Sequence, residues 1–494
     1  MMLLLAVLLL LSHWVAATTE EGALLCKKCQ AEVEKLDLKW TNATSVEVIL
    51  DQLKVKCLAK DNVIKKEVCT KMAEFLVTLP AAIFNGFEDL AWPVPLAPCA
   101  FIRMCEVECC TNDNVPEQIH LSLAGTDRSV MGVTWVTLTG DVSVVEYGTT
   151  ETTLTSIVKG STSTYKDGGW RGVIHYGTMT GLLPGTTYYY RVGDGSVWSD
   201  TYSFTTFTKD KSVLNFGIVA DMAYDTNSDD TVASLTTLVN EGKIDVIIHS
   251  GDISYADGFE PHFDDFFRKI QPLATRVPYM ACPGNHEFIY KFESYKQRFF
   301  LPGVIDNTDS SHDNMYYSWE YGPIKFISMN SETVIDTGNF SDEEIDWLNT
   351  VMTTVDRSAT PFLIATFHRP MYCSDDMNCG DRADKLKKEA EDIFYNNKVD
   401  LVITGHIHSY ERTYPVYKNQ IYEVGQAPIH VMQGASGNRE GNKGGYGTLQ
   451  AYSAAHSVDI GYGIMSVSID GKMLDFGFYN SKTNEKLDTF SINK

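Results

Sequence analysis

The sequence has little positive charge, few long apolar runs and no internal repeat. Lys and Arg number 41 against 64 Asp and Glu, which gives a formal charge of −23 at pH 7. A surface this acidic argues against binding along a phosphate backbone, so we predict no nucleic-acid partner. Beyond the first residues, no stretch is long and apolar enough to span a bilayer. The 494 residues, 44% of them hydrophobic, instead predict a soluble protein of several domains.

One apolar run, residues 2–11, opens the chain. It is too short to cross a bilayer but fits the hydrophobic region of a signal peptide, and Val15 and Ala17 supply the small residues of a cleavage site. We predict that residues 1–17 are a signal peptide and that the protein enters the secretory pathway, to be secreted or delivered to lysosomes. Two sequons then become candidate glycosylation sites, Asn42 and Asn339.

Cysteine is scarce after residue 110. Eight of the eleven cysteines lie before residue 111, and only Cys282, Cys373 and Cys379 follow. This uneven distribution predicts a separate, disulfide-stabilised N-terminal module in an oxidising compartment. We also expect Cys373 and Cys379 to close a small disulfide loop. The sequence assigns no partner to Cys109 or Cys110.

Residues 22–110 carry apolar residues at helical spacing, and six of their cysteines follow a distinct order. The order is Cys26-x2-Cys29, then Cys57 and Cys69, then Cys99-x5-Cys105. This stretch resembles a saposin B-type domain. The resemblance implies an α-helical saposin-like module with the pairs Cys26–Cys105, Cys29–Cys99 and Cys57–Cys69, whereas six cysteines alone allow fifteen pairings. It also implies contact with lipids or a membrane surface; the alternative is a helical pro-segment with no lipid role.

Residues 115–208 predict a β-sandwich. Short alternating runs, such as VMGVTWVTL (130–138) and TTYYYRVGDG (186–195), are separated by Gly, Asp and Pro turns, a pattern that favours a fibronectin III-like domain. Three aromatic residues in these runs are predicted to lie in the core and to take no part in a site. They are Trp135, Tyr188 and Tyr190.

Residues 212–415 alternate apolar runs with longer amphipathic segments, which predicts an α/β domain. The runs include VLNFGIVA, KIDVIIHS and PFLIATF, and each ends where a side chain able to bind a metal begins. In open α/β sheets, binding residues gather at the carboxyl ends of the strands. Residues 426–490 return to strands and are predicted to complete this domain.

The residues that follow the apolar runs form a series suited to metal ions. Their oxygen and imidazole groups bind hard or borderline divalent and trivalent metals. Seven ligands exceed the needs of one catalytic ion with an open position, so we predict two metals bridged by a carboxylate. The candidates are Asp221, Asp252, Tyr255, Asn285, His368, His406 and His408. His286, beside a candidate ligand, can reach a substrate or hydrogen-bond within the site.

The series Asp…GDxxY…GNH…His…GHxH resembles the motifs of the purple acid phosphatases, within the calcineurin-like metallophosphoesterases. The stretches CPGNHE, HRPMYC, GHIHSYERTYPVY and GASGNREG are similar to that family as well. The resemblance extends over residues 115–490. It implies an α/β calcineurin-like sandwich and an acid phosphatase that hydrolyses phosphomonoesters.

The resemblance also implies a role for each candidate. Asp221, Tyr255 and His408 would hold one metal, Asn285, His368 and His406 the other, and Asp252 would bridge them. A tyrosinate favours Fe(III) and would give a purple charge-transfer band, so the implied cofactors are Fe(III) and a divalent zinc, iron or manganese ion. A metal-bound hydroxide would attack phosphorus, at acid pH because Fe(III) strongly acidifies bound water. His286 would stabilise the transition state or protonate the leaving group.

Two departures from the family pattern affect this site. The first motif is Asp221-Met-Ala223 where the family has Asp-x-Gly, so a left-handed turn there would be strained by the alanine Cβ. Plant-type members carry adjacent histidines shortly after the position of His368, where this chain has Met377 and Asn378. The identity of the leaving-group acid is therefore open.

Two other functions compete with the phosphatase. A saposin domain joined to a metallophosphoesterase also resembles acid sphingomyelinase, a lipid phosphodiesterase. That family has a histidine at the position of Ala223 and lacks the tyrosine of GDxxY. The second alternative is a lipid-binding protein whose metallophosphatase domain is an inactive scaffold. The complete ligand series favours the phosphatase, while the physiological substrate and the oligomeric state stay open.

Overall fold

The computed structural model describes residues 26–31, 106–110, 112–123, 125, 128–302, 313–333, 340–374, 380–442 and 448–494. The predicted signal peptide, most of the saposin-like module, and both Asn42 and Asn339 lie outside these residues, as do Cys57 and Cys69. Within the described ranges, Cys282 is free and buried, and five cysteines are in disulfides: Cys26, Cys29, Cys109, Cys110 and Cys373. The partners predicted for three of these, Cys105, Cys99 and Cys379, lie outside the described residues. No described helix is long and apolar enough to cross a membrane.

Ten strands are described between residues 107 and 205. They are β1 (Val107–Glu108), β2 (Glu117–Leu123), β3 (Met131–Thr137), β4 (Val144–Gly148), β5 (Ser156–Lys159), β6 (Ser161–Ser163), β7 (Trp170–Arg171), β8 (Val173–Met179), β9 (Thr187–Gly193) and β10 (Tyr202–Thr205). Eight of them form two four-stranded sheets, in the orders β10-β9-β4-β5 and β2-β3-β8-β6. Trp135, Tyr188 and Tyr190 are buried, as predicted. The β-sheet domain expected before the α/β domain is therefore present.

The chain divides into two compact units, a smaller one of residues 1–109, 165–171 and 258–261, and a larger one of the remaining residues. In the smaller unit, residues 26–31 are helical and β1 pairs in parallel with β7. The rings of Tyr165 and Trp170 stack with their centroids 4.4 Å apart. The candidate ligands all belong to the larger unit.

The α/β domain contains seventeen described strands. They are β11 (Val213–Val219), β12 (Met222–Ala223), β13 (Val246–Ser250), β14 (Ile253–Ser254), β15 (Tyr279–Cys282), β16 (Tyr317–Tyr321), β17 (Ile324–Ser328), β18 (Phe362–Thr366), β19 (Leu401–Thr404), β20 (Tyr410–Thr413), β21 (Val416–Tyr417), β22 (Gln420–Ile421), β23 (Ile429–Gln433), β24 (Ser453–Ser457), β25 (Gly461–Ser468), β26 (Met473–Asn480) and β27 (Lys486–Asn493). Its described α-helices are α1 (Asp229–Asn240), α2 (Pro261–Ala274), α3 (Glu293–Arg298), α4 (Asp342–Thr354), α5 (Gly380–Leu386) and α6 (Asp392–Asn396).

Two sheets form the body of this domain. The first has the order β15-β13-β11-β25-β26-β27, and the second has the order β16-β17-β18-β19-β23-β20-β24. Strands β11, β13 and β15 run parallel, as do β17, β18, β19 and β23. Strand β25 pairs antiparallel with β11, with Val213 opposite Ser468. The segment after residue 426 therefore contributes strands to both sheets.

Burial explains why the strands appear in the sequence as unbroken apolar runs. Every residue of β13, β15, β18 and β19 is buried, as is usual for parallel strands covered on both faces. Over the second sheet, helices α4 and α6 contribute Leu348 and Phe394 to an apolar cluster with Leu363 and Val402. The polar candidate ligands therefore follow the carboxyl ends of these buried strands.

Candidate metal centre

The predicted ligands lie at the carboxyl ends of parallel strands from both sheets. In the first sheet, Asp221 follows β11, Asp252 follows β13 and Asn285 follows β15. In the second, His368 follows β18 and His406 follows β19. Since parallel strands end at the same edge of a sheet, side chains far apart in sequence meet there.

Four of the seven candidate ligands have left-handed backbone. The φ angle is 55° at Asp221, 52° at Asp252, 56° at Tyr255 and 72° at His406. This conformation is uncommon for residues that carry a side chain and costs about 1–3 kcal/mol each. These four positions follow β11, β13, β14 and β19, and the left-handed backbone there forms the sharp turns that bring these side chains together.

Asp221, Tyr255 and His408 form the first cluster. The Tyr255 hydroxyl donates to Asp221 Oδ1 at 3.1 Å and lies 3.0 Å from His408 Nε2. His408 Nε2 is also 3.4 Å from Asp221 Oδ1. Burial, together with the charges of Asp221 and Asp252, raises the pKa of Tyr255 well above its ordinary value. The phenol therefore keeps its proton unless a cation takes that place.

Asp252, Asn285, His368 and His406 form the second cluster. His368 Nε2 lies 2.9 Å from Asp252 Oδ2 and 3.2 Å from Asn285 Oδ1. Nitrogen or oxygen atoms of Asp252, His368 and His406 all lie within 4.8 Å of one another. Burial alone would raise the pKa of Asp252, but His368 and then His286 hold that pKa well below its ordinary value. Asp252 is therefore an ionised carboxylate in the middle of imidazole groups.

Both clusters fit metal ions. Ligands bound to one ion at about 2.1 Å in octahedral geometry lie about 3 Å apart, and the contacts in the two clusters span 2.9 Å to 3.4 Å. His406 Nδ1 is buried without a hydrogen-bond partner among the described residues. Carboxylate, phenol, amide and imidazole donors suit divalent and trivalent transition metals. Asp252, whose charge also acts on Tyr255, is the candidate for a shared ligand.

His286 lies beside the clusters and is held by an acidic residue. Its Nδ1 is 2.5 Å from Asp257 Oδ1, and its Nε2 is 3.9 Å from Asp252 Oδ2. Burial lowers the pKa of His286, but Asp257 and then Asp252 raise it by more, so that it lies well above the ordinary value. These carboxylates favour the imidazolium form of His286, and its Nε2 faces the centre.

Glu287 fastens two ligand loops together. Its buried carboxylate accepts hydrogen bonds from the backbone N–H groups of Asp252, Ile253 and Gly284 at 3.0, 2.8 and 2.8 Å. These donors fix the start of the loop that carries Asp252 relative to the loop that carries Asn285. Glu287 belongs to the stretch GNHE, but its role could not be predicted, because two of its three donors, Asp252 and Ile253, lie more than thirty residues away in sequence.

Glycines allow the ligand loops to approach closely. A Cβ added to Gly284 would lie 2.2 Å from Asp252 Oδ1, and one added to Gly405 would lie 2.3 Å from Asp221 Oδ2. Neither distance is tolerable between non-bonded atoms, so glycine is required at both positions. The glycines of GNH and GHIH therefore leave room for ligands that are carried by other loops.

Three further residues lie at the centre and had no role in the sequence analysis. Asp257 contacts His286, as described above. Glu440 Oε1 is 3.7 Å from His286 Nε2, and Glu440 Oε2 is 3.6 Å from His408 Nδ1. Arg369 Nη1 lies 2.8 Å from His406 Nε2. The only signals in sequence were that Arg369 and Glu440 belong to HRPMYC and GASGNREG, and that Asp257 closely follows GDISY.

Ala223 causes no strain at the first motif. It lies in β12, which pairs in parallel with β14 so that Ala223 is opposite Ser254, and its φ is not positive. Its N–H donates to the Gly437 carbonyl at 3.1 Å. The cost expected for a left-handed turn therefore does not arise, because the turn falls at Asp221 instead. Met377 and Asn378 lie outside the described residues.

Comparisons with known protein families agree with this site. Residues 116–206 match a model described as the purple acid phosphatase N-terminal domain. Residues 214–410 match the calcineurin-like phosphoesterase family, and residues 427–489 match a model described as iron/zinc purple acid phosphatase-like protein C. Together these matches cover the β-sheet domain and both parts of the α/β domain.

Individual relatives and solved structures point the same way. The chain is 34% identical to purple acid phosphatase 22 of Arabidopsis thaliana over 66% of this chain and 73% of that protein. It is 34% identical to acid phosphatase type 7 of Homo sapiens, over 66% and 78%. The fold is similar to that of purple acid phosphatase PPD1 from yellow lupin, with a TM-score of 0.68 at 23% identity over 78% of this chain and 75% of that chain. By identity and coverage, this chain belongs to the purple acid phosphatase family.

Proposed function

We propose that the protein is an acid phosphatase that hydrolyses phosphomonoesters at a centre of Fe(III) and a divalent metal, which is zinc, iron or manganese. The observation that carries this proposal is the pair of buried ligand clusters at the carboxyl ends of the parallel strands of the two sheets. One cluster contains a tyrosine, and the other contains only neutral ligands and Asp252. A tyrosine ligand favours Fe(III), whereas imidazoles and an amide suit a divalent ion.

In this proposal the ligands divide as the clusters do. Asp221, Tyr255 and His408 hold Fe(III), and Asp252 is shared. The remaining ligands hold the divalent ion: Asn285, His368 and His406. When bound, the two cations neutralise phosphate oxygens and lower the pKa of a water that attacks phosphorus in line.

His286 supplies the proton in this proposal. Asp257 accepts from Nδ1, which fixes the ring so that Nε2–H is directed to the centre. From there Nε2–H hydrogen-bonds the phosphate and protonates the leaving oxygen. The carboxylates of Asp257 and Glu440 lie beside the ring. They favour the return of a proton to His286 after each transfer to the leaving group. This role does not depend on a histidine at residue 377 or 378.

The N-terminal region supports a proposal about location. We infer that residues 22–110 form a saposin B-type module that brings the enzyme to lipid or membrane-surface substrates in the secretory pathway. The support is the order of six cysteines and the disulfide state of Cys26 and Cys29, since structural disulfides persist mainly in oxidising compartments.

Activity, metal content and colour on one sample test the main proposal. Purified protein should hydrolyse p-nitrophenyl phosphate fastest at acid pH, contain iron, and show a broad visible band. Tyr255→Phe should abolish the band and lower kcat by about 100-fold or more. Tyr279→Phe is the matched control, because Tyr279 is equally buried but donates to or accepts from His249 instead. A colourless protein with two zinc ions that prefers bis(p-nitrophenyl) phosphate would overturn the proposal in favour of a phosphodiesterase.

A further inference from the structure

Arg369 is a buried guanidinium held at one end. Its side chain is 2% exposed, and Nε donates to Glu332 Oε2 at 2.7 Å. Glu332 is fully buried, and its other oxygen accepts from the Ser331 hydroxyl at 3.0 Å. The Nε side of the guanidinium is therefore fixed by a salt bridge, and the two terminal nitrogens face away from it.

The two terminal nitrogens of Arg369 differ in their partners. Nη1 lies 2.8 Å from His406 Nε2. Nη2 is buried and has no hydrogen-bond partner among the described residues. A buried donor on a charged group is costly to leave unpaired, so this nitrogen indicates an acceptor that the described residues do not supply.

Metal binding at His406 removes the partner of Nη1 as well. A neutral imidazole has a single lone pair, and the contact with Arg369 uses it, because arginine is always a donor. If the cation binds Nε2, it takes that lone pair directly. If the cation binds Nδ1, the proton must move to Nε2, which then also becomes a donor. In either case two adjacent N–H donors of Arg369 are left without an acceptor in the part of the chain that the structure describes.

We propose that Arg369 binds the phosphate group of the substrate through Nη1 and Nη2 once His406 holds its metal. Two parallel N–H donors match two oxygens of a phosphate, and Glu332 keeps the guanidinium in place for them. The inference rests on the proposed phosphatase function and deepens it, since it assigns a phosphate ligand supplied by the protein. It also couples the two events, because Nη1 is released from His406 only when the metal is present.

The test is phosphate binding to the metal-loaded protein. Arg369→Lys keeps a charge for Glu332 but loses the two-pronged donor, and Arg369→Gln loses the charge as well. Each variant should retain its metal content and visible band, bind inorganic phosphate about 10- to 100-fold more weakly by calorimetry, and show a matching rise in KM for p-nitrophenyl phosphate. Arg298→Lys is the matched control. It alters a buried arginine paired with Asp264 at 2.9 Å and should leave phosphate affinity unchanged.

The outcomes separate this role from a structural one. Unchanged phosphate affinity in both Arg369 variants would overturn the inference while leaving the phosphatase function intact. A loss of phosphate binding only in proportion to lost metal would also overturn it, because Arg369 would then merely hold His406 in place. A wild-type protein without metal, visible band or phosphatase activity would instead overturn the proposed function, and this inference with it. If Arg369→Gln does not fold, Arg369→Lys decides.

Discussion

At the scale of single residues, the carboxylate of Asp257 contributes most to keeping His286 protonated. Asp257 is buried, yet its Oδ1 contacts His286 Nδ1, so each group compensates the other's burial. Asp257 is the strongest of the charges that raise the pKa of His286. A pair of this kind keeps a proton available for transfer at a pH where an isolated buried histidine would have lost it.

Asp257→Asn should therefore shift the pH profile. If protonated His286 is the active form, kcat falls as pH rises through the pKa of His286. Removing the charge of Asp257 lowers that pKa, so the alkaline limb of the kcat profile should move about one pH unit or more toward acid. The measurement is kcat for p-nitrophenyl phosphate between about pH 4 and 10, a range that extends above the raised pKa of His286. Asp265→Asn, which alters an exposed carboxylate paired with Arg268, is the control. An alkaline limb that stays in place would mean that His286 is not the proton donor.

At the scale of elements, the centre depends on how closely the loops after different strands approach one another. The loop after β15 places Gly284 against Asp252, which follows β13. Glu287, in the same loop, accepts hydrogen bonds from the backbone N–H groups of Asp252 and Ile253. The strands fix the ends of these loops, and close backbone approach fixes the positions of the ligands relative to one another.

Gly284→Ala should displace Asp252 and so remove metal. The φ of Gly284 is −116°, which alanine adopts freely, so the effect comes from crowding of Asp252, whose Oδ1 and backbone N would lie 2.2 and 2.3 Å from the added Cβ. We expect bound metal and phosphatase activity to fall together by about 10-fold or more. The measurement is metal content by elemental analysis alongside kcat.

A glycine in open space provides the control for that variant. Gly425 has a φ of +85° and nothing within 4 Å of an added Cβ, so Gly425→Ala introduces strain without crowding. It should lower stability by about 1 kcal/mol and leave metal content unchanged. Normal metal content in Gly284→Ala would show that Asp252 has room to shift and still bind.

The elements also show why some of the site could be predicted from sequence and some could not. Apolar runs mark buried parallel strands, and the polar residues that follow the runs lie at the carboxyl ends of those strands. Asp221, Asp252 and His368 could therefore be predicted as ligands from the sequence alone. The roles of Glu287 and Arg369 could not be predicted in this way, because they lie in contacts with loops and side chains distant in sequence. The backbone at residue 223 shows the same limit, since the position of the left-handed turn is set by the pairing of β12 with β14.

At the scale of the whole molecule, buried neutral histidines should make the folded protein less stable at the acid pH where we propose that the enzyme works. Burial lowers the pKa of His175 to about 4, and burial with the charge of Lys387 lowers that of His430 to about 3. Both are neutral in the folded protein, whereas an unfolded chain protonates histidine near pH 6.5. Because the folded pKa is the lower one, the stability that each contributes is complete above pH 6.5 and is lost as pH falls toward the folded value.

His175→Gln should therefore make stability less sensitive to pH. His175 lies between Thr137 Oγ1 at 2.7 Å and Ser143 Oγ at 2.8 Å, and a glutamine amide can pair with both hydroxyls without titrating. Between pH 7.5 and 5, neutral His175 costs the folded state about 2 kcal/mol. The variant loses the stacking of the His175 ring on Trp135, whose centroids are 5.1 Å apart, so it should be less stable than wild type at pH 7.5, with the difference shrinking or reversing at pH 5. Urea midpoints at both pH values measure this, with the exposed His456→Gln as control. An equal loss of stability at the two pH values would mean that folding does not lower the pKa of His175, so that the β-sheet domain carries a buried charge at pH 5.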